Sequence, residues 1–271
     1  MLRVLRFFIF GLGYSARRVA DRLTAQGWEV MSTGREGTLS FEDEGNVRLA
    51  LADAQFVLSS VPPSGEGADP VLERYGDSLG GKWLGYLSST GVYGDTGGAW
   101  VDESAPIGTG RRTARSECDS HWLERGARVF RLPGIYGPGR SALDRVRDGT
   151  AKRMAVPHQV FSRIHVDDIA SGVLAALDAP PGAYNLSDDL PCSQNRVIEE
   201  ACHLLGQEPP PIQSLEDANL SPMALAFYTE NRRVANGKAK RVLGWRPAHA
   251  TYRGGLRYCL EHDMKERECQ T

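Results

Sequence analysis

A glycine-rich segment near the start of the chain could hold a phosphate group. An apolar run over residues 4–10 leads directly into this segment, and a helix-periodic pattern follows it. In such a strand–turn–helix unit, glycines allow a tight turn and a close approach of backbone to a pyrophosphate, and unpaired N–H groups of the helix bind phosphate oxygens. The alternative is a glycine-rich turn without a ligand. The pattern predicts a dinucleotide site formed by Gly11, Leu12, Gly13, Tyr14, Ser15 and Ala16.

The end of the second predicted strand indicates which dinucleotide is bound. Enzymes that use NAD usually place an acidic residue there for the ribose hydroxyls, whereas this chain has Ser32-Thr33-Gly34-Arg35. A carboxylate would repel a 2′-phosphate, and a guanidinium can clamp it with two charge-assisted hydrogen bonds. Arg35 therefore favours NADP(H), with NAD(H) possible because Glu36 follows. Arg35 as a solvated loop charge is the other interpretation.

The elements around these segments predict an α/β fold. Strand-like runs alternate with helix-periodic segments through the first half, which is typical of a parallel βαβ sheet. The predicted strands cover residues 4–10, 28–32, 38–41, 55–60, 83–89 and 128–132, and predicted helices include 46–54, 141–148, 168–177 and 194–205. We expect a Rossmann doubly wound parallel sheet with a small C-terminal substrate-binding lobe.

Composition and charge exclude several classes of partner. The chain has 271 residues and a net charge of −2, so no basic excess indicates a nucleic acid or an anionic membrane as a partner. No apolar run approaches the roughly 20 residues that span a bilayer. The first eleven residues have too short an apolar stretch for a secretory signal. A cytoplasmic protein with a small-molecule substrate is expected.

The five cysteines are scattered, at positions 118, 192, 202, 259 and 269. They form no Cys-x-x-Cys pair and no zinc-type spacing with histidines, so we predict free thiols, no disulfide framework and no metal site. Cys118 lies near the motifs described next and could act as a nucleophile. A semi-buried helix thiol is the preferred interpretation, because nothing in the nearby sequence would lower its pKa.

Several segments together resemble the extended short-chain dehydrogenases/reductases, which include nucleotide-sugar epimerases and dehydratases. The first is Tyr86-Leu87-Ser88-Ser89-Thr90-Gly91-Val92-Tyr93-Gly94-Asp95, which resembles the Ser-Ser/Thr-x-x-Val-Tyr-Gly signature of that family. Further segments follow in the family's order, at residues 101–106, 131–139, 162–170, 184–186 and 236–245. The resemblance spans essentially the whole chain.

This resemblance implies a seven-stranded parallel sheet within a single domain over residues 1–271. Residues 1–140 would form mainly the cofactor-binding core and residues 141–271 mainly the substrate lobe, with a late strand near 183–187. The Ser89 hydroxyl would bind or polarise the substrate oxygen. Further cofactor contacts would come from Ser59, Ser60, Val61 and Pro62 near the adenosine and pyrophosphate, Ser88 near the nicotinamide ribose, and Pro133, Gly134 and Ile135 along the nicotinamide ring.

One departure from the family pattern concerns catalysis. Family enzymes that oxidise or reduce a carbinol use a Tyr-x-x-x-Lys pair, in which the lysine lowers the tyrosine pKa for proton transfer. The aligning positions here are Thr109 and Thr113, no tyrosine occurs from 94 to 135, and no lysine occurs from 83 to 151. The chain therefore resembles the atypical branch of the family, which lacks this pair.

Three explanations of the missing pair stay open. A different acid could serve, with Tyr93 first, then His165, then Tyr136. The substrate could need no such acid, as in imine or conjugated-alkene reduction. Alternatively, the protein could be a catalytically inactive, NADP(H)-binding regulatory or scaffold protein.

We expect an NAD(P)-binding oxidoreductase or epimerase/dehydratase-like enzyme whose substrate is a small polar metabolite, with an anionic metabolite as one alternative. Strand alternation puts Arg163 and His165 on one side of a strand, where they could line the substrate cleft. Arg111, Arg112 and Arg115 form a basic cluster that could hold an anion or be a solvated helix face, and Asp167 and Asp168 are expected to cap the next helix. The residues predicted to bind substrate are Thr90, Tyr136, Arg163 and Arg111. Monomer and homodimer are both compatible with the sequence.

Overall fold

A sheet of parallel strands with helices on both faces forms the core of the computed structural model, which describes residues 4–65, 67–110, 113–221 and 225–268. The strands are β1 Arg6–Phe10, β2 Glu29–Ser32, β3 Phe56–Ser59, β4 Trp83–Ser89, β5 Trp100–Val101, β6 Arg128–Leu132, β7 Gly134–Tyr136, β8 Arg153–Met154, β9 Arg163–His165, β10 Gly182–Asn185, β11 Ile212–Gln213 and β12 Arg233–Val234. The helices are α1 Tyr14–Ala25, α2 Glu44–Asp53, α3 Pro70–Tyr75, α4 Thr113–Glu124, α5 Ala142–Arg147, α6 Val166–Ala175, α7 Gln194–Leu205, α8 Gly237–Val242 and α9 Tyr252–Glu268.

Six of the strands form the central sheet, in the order β10-β6-β4-β3-β1-β2, and every pair in it is parallel. Phe7 of β1 lies between Val30 of β2 and Phe56 of β3. The chain therefore reverses its direction of winding between β1 and β3. Ligands of open parallel sheets bind at the carboxyl ends of the strands that flank such a reversal.

Alternate residues of β1 pack against different helical layers. Phe7 and Ile9 share a buried cluster with Val19 of α1, and Ile169 of α6 lies in the same cluster. Phe8 and Phe10 belong to the cluster on the opposite face, which includes side chains of α2, α3 and α4. A strand buried on both faces is typical of a sheet covered by crossover helices. The predicted doubly wound α/β fold is thereby confirmed.

The predicted strand over residues 38–41 is wrong. The structure has a single bridge between Thr33 and Leu39 there, and the Thr38 hydroxyl donates to the Ser32 carbonyl and accepts from the Ser32 N–H. The chain turns at Gly34 and folds back on the end of β2, so its pairing there is limited to this one bridge before α2 begins at Glu44. Within the described residues the main sheet has six strands, where the family resemblance implied seven.

A separate apolar cluster lies outside the sheet, and α5, α7 and α9 form it. Leu143, Val197 and Leu256 are among its buried members, and Tyr136 joins it from β7. In contrast, α6 and β10 pack with the sheet, although both lie beyond residue 140. The lobe is therefore not one continuous segment of chain. None of the helices in the described part is long and apolar enough to cross a membrane.

Candidate cofactor and substrate cleft

A cavity of about 990 Å³ opens at the carboxyl ends of the central strands and extends to α5, α7 and α9. Many residues predicted to bind ligands line it. They are Gly13, Tyr14, Ser15, Ser60, Ser88, Ser89, Thr90, Pro133, Gly134, Ile135, Tyr136 and Arg163. The remaining predicted residues within the described part are not among those that line the cavity, and these are Gly11, Leu12, Ala16, Arg35, Ser59, Val61, Pro62, Tyr93 and His165. Arg111 and Arg112 lie outside the described residues.

The glycine-rich loop is held between the ends of β2 and β3. The Leu12 N–H donates to the Thr33 carbonyl at 2.7 Å, and the Ser60 hydroxyl donates to the Gly11 carbonyl. Gly11 has φ +81°, and a Cβ atom there would come within 3.1 Å of the Ser60 hydroxyl oxygen. A left-handed backbone and this close approach both require glycine. The fixed loop directs the following helix toward the cavity.

Gly13 is the N-cap of α1, and no side chain caps this helix. The first N–H groups of a helix have no partner within the helix, so they point outward as donors, here at the cavity wall. A Cβ atom at Gly13 would have no neighbour within 4 Å, because it would project into open space. Ala16, one turn later, is fully buried against the sheet. Uncapped donors beside open space fit the pyrophosphate of a dinucleotide.

A buried polar network lies behind the cavity wall. The Arg131 guanidinium forms a paired contact with the Asp119 carboxylate, at 2.7 and 3.1 Å, and Ser88 donates to the same carboxylate at 2.6 Å. A third N–H of Arg131 donates to the Tyr93 hydroxyl at 3.0 Å. That hydroxyl donates in turn to the Asn185 side-chain oxygen at 2.7 Å. The network thus ties β4, α4, β6 and β10 together.

Tyr93 does not reach the cavity. Its side chain is 2% exposed, and its hydroxyl has both a donor and an acceptor partner in the network. Burial raises the Tyr93 pKa to about 12, which is far from the neutral range that suits a general acid–base group. The geometry therefore favours a structural role for Tyr93, the first of the candidate acids in the sequence analysis.

We expect the Tyr93→Phe variant to lose stability. The substitution leaves the Asn185 oxygen and one Arg131 N–H without their partner, which costs about 1–3 kcal/mol in the free energy of unfolding. NAD(P)H affinity should stay unchanged, because the ring lies behind the wall. Chemical denaturation and a nicotinamide-fluorescence titration measure the two quantities. A stable variant that has lost turnover would restore Tyr93 as the proton donor.

His165 is also withdrawn from the cavity. It is fully buried, its Nδ1 accepts the Asp167 N–H at 3.2 Å as the N-cap of α6, and its Nε2 lies 3.7 Å from the Cys259 sulfur. Burial, then the neighbouring His249, lowers its pKa to about 3. The imidazole is therefore neutral at physiological pH and has a capping role.

The prediction that Asp167 and Asp168 cap α6 is wrong, because His165 takes that position. Asp168 lies in the first turn of α6 and is 1% exposed. Its carboxylate accepts the N–H groups of Ala248 and His249, at 2.6 and 3.0 Å. It therefore holds the segment that precedes α9 instead of the helix start.

Ser89 has the geometry of a group that can contact a ligand. It lines the cavity, and its side-chain oxygen accepts the Gly91 N–H at 3.1 Å. Its hydroxyl proton has no acceptor among the described residues, so it is available to a substrate oxygen or nitrogen. Thr90, beside it, is 5% exposed and also contributes to the wall.

The two threonines at the positions of the family's Tyr-x-x-x-Lys pair form no acid–base pair among the described residues. The Thr109 hydroxyl donates to the Tyr93 backbone carbonyl at 3.0 Å, and Thr113 begins α4. Cys118, further along α4, is fully buried, and burial raises its pKa to about 11. Its thiol is therefore protonated at neutral pH and is a poor nucleophile.

Two groups that the sequence did not single out contribute to the cleft. Asp119 orients Ser88 and Arg131, and Arg145 of α5 lines the wall. The buried side chains of α4 at 116, 119 and 122 share a three-residue spacing, which marks a helix face directed at the sheet. This spacing is the signal that could have identified Asp119.

Comparison with known proteins shows the family to which the chain belongs. No family model matches the chain. A solved protein of Silicibacter pomeroyi, described as conserved and functionally unknown, is 38% identical, with a TM-score of 0.85 over 96% of this chain and 99% of its own. The chain belongs to the family of that conserved protein. The dTDP-glucose 4,6-dehydratase of Bacillus anthracis, solved with NAD, is 16% identical with a TM-score of 0.75 over 98% of both chains, so it shares the fold.

Two curated relatives add to the comparison. Protein YeeZ of Escherichia coli is 26% identical over 78% of this chain and 87% of its own length. A 3-diazoavenalumate denitrifying reductase of a Streptomyces species is 32% identical over 143 residues. That match covers 47% of this chain and 45% of the reductase, so the chain spans less than half of the length of this relative.

Proposed function

We propose that this member of the family binds a nicotinamide dinucleotide and acts as an NAD(P)H-dependent oxidoreductase on a small polar metabolite. The observation that carries the proposal is the uncapped N-terminus of α1, which faces open cavity space at Gly13. The fold that the chain shares with an enzyme solved with NAD supports the same cofactor class. The partial similarity to a reductase supports reduction as the reaction.

Within the proposal, the cofactor would lie along the wall from the glycine loop to β7. Gly13 and Ser15 would hold the pyrophosphate, Ser60 would lie beside it, and Pro133 and Ile135 would contact the nicotinamide ring. When bound, this group supplies a hydride to an electrophilic centre of the substrate and is left oxidised. Ser89 would donate a hydrogen bond to the heteroatom that gains electron density.

The reduced substrate also needs a proton, and the three candidate acids of the sequence analysis are unsuited to supply it. Tyr93 and His165 are buried behind its wall, and their pKa values of about 12 and about 3 do not suit proton transfer near neutral pH. Tyr136 lines the cleft, but burial raises its pKa well above its usual range, so it does not suit proton transfer either. In our proposal, water reaches the reduced centre through the open cleft and protonates it. This favours electrophiles that accept a hydride without a strong protein acid, such as imines and conjugated alkenes, over ordinary ketones.

The side chains after β2 favour NADPH over NADH within this proposal. Glu36 forms an ion pair with Arg17, so its carboxylate is engaged. The Arg35 side chain is exposed and forms no hydrogen bond or ion pair with the described residues. A Cβ atom at the preceding Gly34 would lie 2.9 Å from the Leu12 nitrogen, which puts Arg35 beside the glycine loop. A free guanidinium there suits a 2′-phosphate.

The Arg35→Gln variant tests this preference. We expect NADPH affinity to fall about 10- to 100-fold, the loss associated with hydrogen bonds between charged groups. NADH affinity should stay within about twofold, because NADH lacks the 2′-phosphate. Titrations followed by nicotinamide fluorescence give both constants. Equal changes for the two cofactors, or none, would contradict a 2′-phosphate contact at Arg35.

The proposed function itself is tested by cofactor binding and then by turnover. Micromolar binding of NADPH or NADH to the purified protein would support the dinucleotide site, and binding of neither would refute it. With binding established, NADPH oxidation is followed at 340 nm across matched panels of ketones, imines and conjugated alkenes. Turnover with imines or alkenes but not ketones is the expected outcome.

A second candidate function is a cofactor-binding regulatory or scaffold protein without turnover. Thr109 and Thr113 stand at the positions of the family's acid–base pair, and Thr109 is engaged with a backbone carbonyl. The absence of the pair at these two positions favours a protein that binds the cofactor without catalysing a reaction. Tight cofactor binding together with no oxidation of NADPH by any member of the panel would support this second candidate.

A further inference from the structure

One end of the cleft, which we call its inner end, lies next to α5 and α7 and contains positively charged side chains. Among the residues that the structure describes, six basic side chains and two acidic ones line the cavity as a whole, although the chain carries a net charge of −2. Most of the basic groups are engaged by the protein. Lys152 donates to the Ala218 carbonyl, Arg232 pairs with Glu230, and Arg115 donates to the Tyr86 hydroxyl.

Arg145 is different, because it points into the cavity without a partner. Its side chain is exposed there, and its guanidinium forms no hydrogen bond or ion pair with the described residues. Desolvation at the cavity wall, then repulsion from the nearby Arg163, lowers its pKa, and the negative charge of a bound anion would compensate for both. Arg147, also on α5, is paired with Asp263 at 2.5 Å. The two arginines therefore have different roles on one helix.

Two neutral hydrogen-bond donors in the same wall also lack partners. The Tyr136 hydroxyl and the Gln194 Nε2 are buried without a hydrogen bond among the described residues. The Gln194 oxygen accepts from Arg163 at 3.1 Å, which fixes the amide so that its nitrogen faces away from Arg163. Tyr136 also lines the cavity, but its hydroxyl lies against Gly255 of α9, where a Cβ atom would be 2.0 Å from it, so Gln194 is the donor that can serve a ligand at Arg145. A buried donor without an acceptor is costly, so a ligand acceptor would be stabilising.

Apolar and aromatic side chains also line this end of the cavity. Phe161 and Tyr228 meet edge to face, with ring centroids 6.0 Å apart, and Val197, Ile198 and Leu256 line the wall nearby. Such a surface suits a flat or apolar body. The free Arg145 guanidinium and the apolar wall thus lie together at the inner end of the cleft, and we call this part of the cleft the inner compartment.

We propose that this compartment binds a monocarboxylate with an aromatic or apolar body, and that Arg145 binds its carboxylate with the Gln194 amide as a neutral donor. The proposal rests on the proposed function, in which the cofactor occupies the other end of the same cleft. A singly charged group matches the site, because Arg163 donates to the backbone carbonyls of Phe161 and Cys192. The exposed Arg140 lies over the Tyr14 ring, at the glycine-loop end of the cavity, which leaves Arg145 as the free guanidinium of this compartment. Planar carboxylates also match the guanidinium geometry.

Three probes with the same aromatic body test the charge of the ligand. trans-Cinnamate, trans-cinnamamide and trans-styrylphosphonate are titrated into the wild-type protein by calorimetry, with and without saturating NADPH. We expect cinnamate to bind at least about tenfold more tightly than the neutral amide. Equal affinity of the acid and the amide, or no binding of cinnamate at millimolar concentration, would overturn the inference. A phosphonate that binds about tenfold more tightly than cinnamate would overturn the assignment to a monoanion.

Two variants test the residues. Arg145→Gln should weaken cinnamate binding about 10- to 100-fold, and Gln194→Glu should do the same, because its new carboxylate repels the ligand. The matched control is Arg196→Gln, which removes an exposed charge on α7 outside the cavity and should leave cinnamate affinity unchanged. Unchanged binding in Arg145→Gln would overturn the inference.

NADPH affinity in the same proteins separates this inference from the proposed function. We expect Arg145→Gln to bind NADPH as the wild type does. Cinnamate binding that depends on Arg145 in a protein with no affinity for NADPH or NADH would refute the dinucleotide proposal and leave the carboxylate site standing. Normal NADPH binding without cinnamate binding would refute the carboxylate site and leave the dinucleotide proposal standing.

Discussion

Replacing Gly13 with valine is expected to weaken cofactor binding strongly while the protein stays folded. Gly13 has φ −95°, a conformation open to any residue, and a side chain there would meet no protein atom near its Cβ. The new side chain would occupy the space beside the α1 N–H groups, where we propose that the pyrophosphate binds. Overpacking of this kind costs about 1–3 kcal/mol, which is about 5- to 150-fold in affinity.

The control for this substitution is Gly45→Val. Gly45 lies in the first turn of α2, is exposed, and its nearest potential contact is Asp43 at 3.9 Å. Nicotinamide-fluorescence titration and thermal melting are measured for both variants. We expect normal cofactor affinity in Gly45→Val and a melting temperature near that of the wild type in Gly13→Val. Undiminished binding in a folded Gly13→Val protein would contradict the proposed position of the pyrophosphate.

Removing the carboxylate of Asp119 should be the most destabilising of the proposed changes. Asp119 is fully buried and Arg131 is 3% exposed, so Asp119→Ala leaves an uncompensated buried guanidinium. Loss of one member of a buried ion pair costs about 3–5 kcal/mol. Ser88 also loses its acceptor at the edge of the cleft. Denaturant unfolding measures the change in the free energy of unfolding.

Two further variants separate the buried charge from a general effect of losing a carboxylate. Asp119→Asn keeps one acceptor oxygen and should lose less stability than Asp119→Ala. Glu199→Ala removes the carboxylate of a partly exposed pair with Arg153 and should cost no more than about 1 kcal/mol. A loss in Asp119→Ala as small as that in Glu199→Ala would show that Arg131 finds another partner.

The sequence was sufficient for features that depend on local pattern. The glycine loop could be located because a strand, a tight turn and an amphipathic helix each have their own spacing, and these three must follow one another in sequence. Residues 83–89, 128–132 and 194–205 were predicted with the bounds that the structure has. Buried strands and the apolar face of a helix are determined by neighbours along the chain.

Features that depend on distant contacts were not predictable in this way. Strand alternation suggested that Arg163 and His165 face the same cleft. The strand ends at His165, which is buried and caps the next helix, so His165 does not face the cleft as Arg163 does. Tyr93 follows β4 as the family signature requires, but Arg131 and Asn185 come from other strands and hold it behind the wall. The unpaired state of Arg145 likewise depends on what surrounds it in space.

The short segment after β2 also has a consequence for self-association. At the outer edge of the sheet, the Thr38 hydroxyl and the Leu39 N–H bond to the backbone of Ser32. These bonds use the polar groups that a strand of another molecule would need for pairing at this position. Glu29, at the opposite end of β2, is charged and is paired with Arg6 of β1. An edge that is both occupied and charged resists extension into an intermolecular sheet.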